Sequence, residues 1–214
     1  MEAIKAVGDW ELDINALPFG TKDSDGQWFD ENTDTMPEAF TTPLVVYQHG
    51  IEKGAKGLQG KLEVIGKSVA GSLRKEADGW HVRVVLNKLS EYAKAIMDAA
   101  KSGLVAVSSG SIAHLARLDI GNKIIPYEKD RPGRIAVWPF AEISLWEQGN
   151  GNVKPANRSA VAMPVMKAIY REAGISFPEI KNDTHGVLLD AKRAGIERIK
   201  EQSKIILSKL GDIK

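Results

Sequence analysis

Residues 104–119, LVAVSSGSIAHLARLD, constrain this chain more than any other stretch. An apolar run over 104–107 drives into Ser108, Ser109 and Gly110, and the alternation resumes at Ile112, Leu115 and Leu118. Such a pattern predicts a buried or half-buried strand. Its oddity is a pair of hydroxyls where the apolar run should continue. Glycine inside a strand marks a bulge or the close approach of another backbone or a ligand. A serine held on a strand beside open backbone is a candidate nucleophile; the plainer alternative is a polar strand end entering a turn.

The flanking pattern is mixed α and β. Residues 4–14 alternate as a strand, and residues 17–40, rich in Gly, Pro, Asp and Asn, read as turns and irregular loop. Asp23, Asp25 and Asp30 offer oxygen ligands for calcium, but the remaining spaced ligands of an EF-hand loop are lacking, which makes them turn formers. Pro43 opens a strand, PLVVYQH, in which Val45, Tyr47 and His49 share one face. A glycine-rich loop follows whose spacing matches neither a phosphate loop nor a dinucleotide fingerprint. Strands are expected over 62–73 and 80–86, joined by a turn at Asp78-Gly79. Leu89, Tyr92, Ala93, Ile96, Met97 and Ala100 recur at helical spacing, with Ser90 at the start and Gly103 placed for a left-handed C-terminal cap.

Beyond a turn-rich connection, RIAVWPFAEISLWE reads as one strong strand with Pro139 marking an edge or bulge. Ile135, Val137, Ala141, Ile143 and Leu145 would share one face, and Trp138, Phe140, Glu142 and Ser144 the other. Glu142 is then a carboxylate in a largely buried strand, where it needs a partner. Residues 149–164 read as a linker, residues 165–173 as a short helix, and the tail from Thr184 as a charged helix. Leu189, Ile196, Ile199, Ser203, Ile206, Leu210 and Ile213 make a broken heptad seam. The expected organisation is a domain over 1–160 and a linker with helical tail over 161–214, separable by a cut after Pro164.

Composition narrows the function classes. A net charge of +1 supplies no field that would favour nucleic acid. The absence of cysteine excludes a disulfide scaffold, a thiolate metal site and a cysteine nucleophile. No apolar stretch reaches the length of a membrane span, and the start lacks an apolar leader core, so a cytoplasmic protein is expected. A serine nucleophile needs a base, and the base needs a group to orient it. The chain has four histidines. His114 lies six residues beyond Ser108 on what reads as the same strand, roughly 20 Å away at about 3.3 Å per residue. His81 reads as a half-exposed structural residue and His185 falls in the tail. His49 ends a strand before a glycine-rich loop, where a side chain can face a cleft, and Glu142 is the best buried carboxylate to orient it.

The order HG at His49, SSG at Ser108 to Gly110, WPFAEISL around Glu142 and PAN at Pro155 to Asn157 resembles the phage prohead proteases, serine peptidases related in fold to herpesvirus assemblins. The upstream PFGTKDSDGQWFDENTD is similar to the region before the histidine strand in one branch of that family, so the resemblance spans about 1–160. It implies an α+β fold in which a small β-barrel-like protease domain carries packed helices. It also implies His49 as general base, Ser108 as nucleophile and Glu142 as third member. Many relatives have an apolar residue between serine and glycine where Ser109 stands here, which leaves Ser109 as the alternative nucleophile. The implied function is maturation of a phage capsid inside assembling proheads in the host bacterial cytoplasm. Scaffold and capsid proteins would be the substrates, with self-cleavage. Neither a metal nor an organic cofactor is called for, nor nucleic acid or membrane, and the C-terminal helix would serve homo-oligomer formation or docking. The alternative from another class is a non-enzymatic assembly or scaffolding protein that retains the protease fold.

Overall fold

A computed structural model describes residues 4–47, 63–147 and 159–180. The chain begins with a hairpin of β1 (Ile4–Ala6) and β2 (Glu11–Pro18), then β3 (Gln27–Trp28), β4 (Leu44–Tyr47), β5 (Val64–Ser68), β6 (Arg74–Glu76) and β7 (Gly79–Leu86). Helix α1 (Glu91–Lys101) leads into β8 (Val105–Ile112), followed by β9 (Arg117–Ile120), β10 (Lys123–Pro126), β11 (Gly133–Val137) and β12 (Glu142–Glu147). Last come β13 (Ser159–Val161) and α2 (Met163–Glu172). Among the described residues this is an α+β architecture, mostly sheet with two helices.

The main sheet runs β1-β2-β7-β5-β4-β12-β8-β13, with β6 also paired to β7. It curls until β2 packs across the interior from β8. Yet β1 and β13 remain its two edges, so the expected barrel is not closed among the described residues. Alternation explains the interior: Leu12, Ile14, Val82, Val84, Val45, Ile143 and Leu145 all join one buried cluster. Helix α1 adds Ala93, Ile96 and Met97 to it. Its Ser90 cap accepts from the Ala93 N–H at 3.4 Å, and Gly103 at φ +67° turns the chain so that the Gly103 and Leu104 N–H groups close on Ala100 and Ala99. The helix therefore stops three residues before the serine strand begins.

Three expected strands are broken, each for a physical reason. The strand expected over 62–73 stops at Ser68 as β5; after a turn at Gly71, φ +73°, the separate strand β6 begins at Arg74, and the two pair with successive halves of β7. Residues 104–119 hold two strands, and His114 lies in the exposed turn between them, not on the strand of Ser108. RIAVWPFAEISLWE also divides: β11 belongs to a second sheet of order β10-β9-β11-β3, and β12 to the main one. The chain crosses over at Trp138-Pro139-Phe140, where proline could not have donated to a ladder. Within the stretch read as loop, β2 runs on to Pro18 and β3 joins the second sheet.

The first compact unit is Met1–Pro178, which extends past the expected boundary at residue 160. Its last elements are integral: β13 adds to β8 in parallel, and α2 buries Met166, Ile169 and Tyr170. The helical tail expected from Thr184 and the linker over 149–158 lie outside the described residues. No helix among the described residues is long and apolar enough to cross a membrane.

Candidate active site

Strand β8 sits between β12 and β13, and its pairing with β12 fixes what each residue faces. Across that antiparallel ladder Ser108 opposes Ser144, Ser109 opposes Ile143, and Gly110 opposes Glu142. Directly opposed residues project to the same face, and successive residues to opposite faces. Ser108, Ser144 and Glu142 therefore share one face, and Ser109 projects from the other. The side chains of Ser108 and Glu142 are diagonal neighbours, a relation that spans about 7–8 Å between β-carbons and lies within the reach of a long side chain. Ser108 is 3% exposed, and Ser144 and Glu142 are fully buried.

Ser109 has a different role in the packing. It looks into the main core, where it accepts a hydrogen bond from the indole N–H of Trp138 at 3.1 Å. That indole is fully buried, with Phe29 and Tyr127 edge-on at 5.9 and 5.3 Å. A polar N–H in such a place needs an acceptor, and Ser109 supplies one.

The opposite face is covered from α2. The Tyr170 hydroxyl donates to the carbonyl of Ala141 at 2.8 Å, one residue before Glu142, and the Leu44 N–H reaches the same carbonyl at 3.1 Å. Burial, and then the neighbouring charge of Glu142, push the Tyr170 phenol well above its ordinary range. It stays protonated and remains a donor. A carboxylate in this setting is costly to bury unless donors surround it.

Strand β4 borders β12 on its other side, in parallel, with Val45 beside Ile143 and Tyr47 beside Leu145. Val45 and Tyr47 thus share a face as expected, and that face is the interior one of Ser109. His49, two residues beyond Tyr47 in sequence, lies outside the described residues, as does His185. The structure therefore brings Ser108 and Glu142 onto one face and says nothing of His49.

The remaining candidates have structural surroundings. His81 Nε2 lies 2.8 Å from Asp78 Oδ1, on a side chain 15% exposed. Asp23 Oδ1 accepts from the Asp25 and Gln27 N–H groups, as a turn former does. Asp30 Oδ1 accepts from the Asn32 N–H and from Arg134. Burial, then the charges of Asp23 and Asp130, raise the Asp25 carboxyl above its usual range. Among the described residues, Glu76, Asp78 and His81 form the one cluster with metal-ligand spacing. Two contributors to the β8–β12 face were not singled out from sequence. Ser144 already fell on the face of Glu142, but its partnership with Ser108 needs the strand register. Tyr170 carried no signal, because nothing local ties residues 163–172 to the sheet.

Comparison with known proteins finds no matching family model, no similar curated protein and no similar solved structure.

Proposed function

We propose that the chain is a serine endopeptidase of phage capsid maturation. It would cleave scaffold and capsid protein, and itself, inside assembling proheads. Ser108 is the nucleophile on this reading, His49 the general base and Glu142 the carboxylate that orients the base. The observation that carries it is the common face of Ser108 and Glu142 on two adjacent central strands, with the Glu142 carboxylate fully buried. Such a carboxylate fits the group that holds an imidazole in one tautomer and stabilises its charged form. In acylation the Ser108 Oγ–H proton passes to His49 as Oγ attacks the scissile carbonyl. His49 then gives that proton to the leaving amine, and water, deprotonated by His49, releases the acyl group.

The test is labelling with a serine-directed phosphonate followed by peptide mapping. The label should fall on Ser108, persist in Ser109→Ala and vanish in Ser108→Ala. A label on Ser109 transfers the role to that residue, and no label together with no cleavage of scaffold or capsid protein removes the enzymatic reading.

One observation favours a second reading. Ser108 and Ser109 are only 3% and 2% exposed, so a substrate carbonyl reaches neither without displacement of the covering residues. A non-enzymatic assembly protein that kept the fold would need no such opening. Its prediction is that Ser108→Ala and His49→Ala leave prohead assembly and processing unchanged.

A further inference from the structure

We propose that the β6–β7 hairpin holds a divalent transition-metal ion of the zinc class, ligated by Glu76, Asp78 and His81 with water completing the set. This site lies in the β2–β6–β7 region of the sheet and owes nothing to the protease reading. Each of the three residues offers one ligand atom, and these atoms lie within 4.8 Å of one another. His81 Nε2 is 2.8 Å from Asp78 Oδ1 and 3.8 Å from Glu76 Oε2. Metal–ligand bonds of about 2.0–2.1 Å put the corners of a tetrahedron about 3.3–3.4 Å apart, so the two His81 separations straddle the requirement. Shifts of roughly half an ångström about His81, together with closure of the Glu76–Asp78 separation, which lies within 4.8 Å, would complete the set by side-chain rotation.

The hairpin makes this geometry local and firm. Glu76 pairs with Gly79 across the two-residue turn Ala77-Asp78, so Glu76 precedes the turn, Asp78 lies within it and His81 follows on the rising strand. The outer atoms are already anchored, as metal ligands usually are. Arg74 Nε holds Glu76 Oε1 at 2.6 Å and leaves Oε2 toward His81. That guanidinium is shared with Asp13, which it grips at 2.9 and 3.1 Å.

A separate observation comes from Asn15. It sits directly opposite His81 in the β2–β7 register and so shares its face. It is 7% exposed; its Nδ2 donates to the Asp78 carbonyl at 3.2 Å, and its Oδ1 has no hydrogen-bond partner. A buried amide oxygen without a donor is uncommon. A metal-bound water supplies the missing donor. The ligand side chains are 43%, 29% and 15% exposed, which leaves an entry path and room for that water.

The experiment is titration of the full chain with Zn2+, read by thermal unfolding, and with Co2+, read by the visible absorption of a four-coordinate ion. At a hundredfold excess over Kd the midpoint should rise by about 5–10 °C. Because His81 must be neutral to ligate, metal and protons compete for it and affinity should fall as the solution is acidified. His81→Ala should abolish both signals, Asp78→Asn and Glu76→Gln should each weaken binding at least tenfold, and His114→Ala should change neither. Absence of both signals at millimolar metal overturns the proposal. So does binding that survives His81→Ala and Asp78→Asn, which assigns the ion to other histidines.

Discussion

Replacing Tyr170 tests whether α2 is part of the folded domain or belongs with the tail. The ring is 2% exposed, stands edge-on to Phe177 at 5.2 Å, and sends its hydroxyl to the Ala141 carbonyl at 2.8 Å. Truncating a buried aromatic to alanine removes its transfer energy and leaves a cavity, a cost of about 3–5 kcal/mol. Removing the hydroxyl alone costs about 0.5–1.5 kcal/mol. The low end of that range applies to Tyr170→Phe, because the Ala141 carbonyl keeps its bond from the Leu44 N–H at 3.1 Å and is not orphaned. Against a total stability of about 5–15 kcal/mol, Tyr170→Ala should remove a large fraction and Tyr170→Phe little. Urea unfolding followed by far-UV circular dichroism reads both, with the midpoint displaced and the slope unchanged. In thermal unfolding, about 2–4 °C per kcal/mol at this size gives a drop of roughly 6–20 °C for the alanine variant. A loss below about 1 kcal/mol for Tyr170→Ala would refute the packing argument and restore a boundary near residue 160. By the same reasoning a cut after Pro164 removes Met166, Ile169 and Tyr170 and should unfold the domain. A cut after Pro178 keeps every contact described above.

On the proposed peptidase reading, Glu142→Gln should preserve the fold and abolish most cleavage of a scaffold peptide, since the amide keeps the shape and loses the charge that stabilises an imidazolium; wild-type rates in that variant would exclude Glu142 from the proposed triad. Two carboxyls should show opposite pH dependences when thermal midpoints are followed from pH 3 to 7 with chelator present. The Asp25 pKa is raised above 3.8 by burial and by Asp23 and Asp130, so folding holds its proton and stability falls as pH rises through that window. Asp25→Asn should therefore be the more stable protein at pH 7 and match wild type below about pH 3.8. The Asp78 pKa is lowered, chiefly by the His81 hydrogen bond, so its contribution is present above 3.8 and lost as pH falls through the depressed value. Asp78→Asn should lower the midpoint at pH 7 and not at the acid end.

Local chemistry was legible where one element carries its own signal. Ser90 and Gly103 bracket α1 because an N-cap and a left-handed C-terminal cap are written within a few residues of the helix ends. The breaks in the sheet were not legible, because apolar periodicity cannot distinguish one long strand from two that enter different sheets. Ile135 and Ile143 are both fully buried and alternate in register, yet they belong to separate sheets. Proline at 139 was the local sign of trouble, and its meaning was a crossover and not a bulge. Residues 163–172 showed a second kind of blindness. A short helix was expected over 165–173, while its membership in the domain rests on Tyr170 reaching Ala141, a contact that no local pattern encodes.

The choice between the two serines turns on which face each strand presents. On β8, Ser108 projects with Ser144 and Glu142, while Ser109 projects into the core and satisfies Trp138. On β4, the alternation that puts Val45 and Tyr47 beside Ile143 and Leu145 assigns them to the Ser109 face. A nucleophilic Ser108 therefore requires the side-chain alternation to break between Tyr47 and His49, so that the base crosses to the face of the carboxylate. A nucleophilic Ser109 needs no such break, but it leaves Glu142 on the wrong side of the sheet and leaves the indole of Trp138 short of its acceptor in every turnover. The first requirement is a local change at a strand end, where register is weakly held. The second asks a fully buried hydrogen bond to break in the centre of the core, at a cost of about 1–3 kcal/mol for the orphaned group. Ser108 is the less costly assignment, and Ser109→Ala should accordingly destabilise the fold more than Ser108→Ala does.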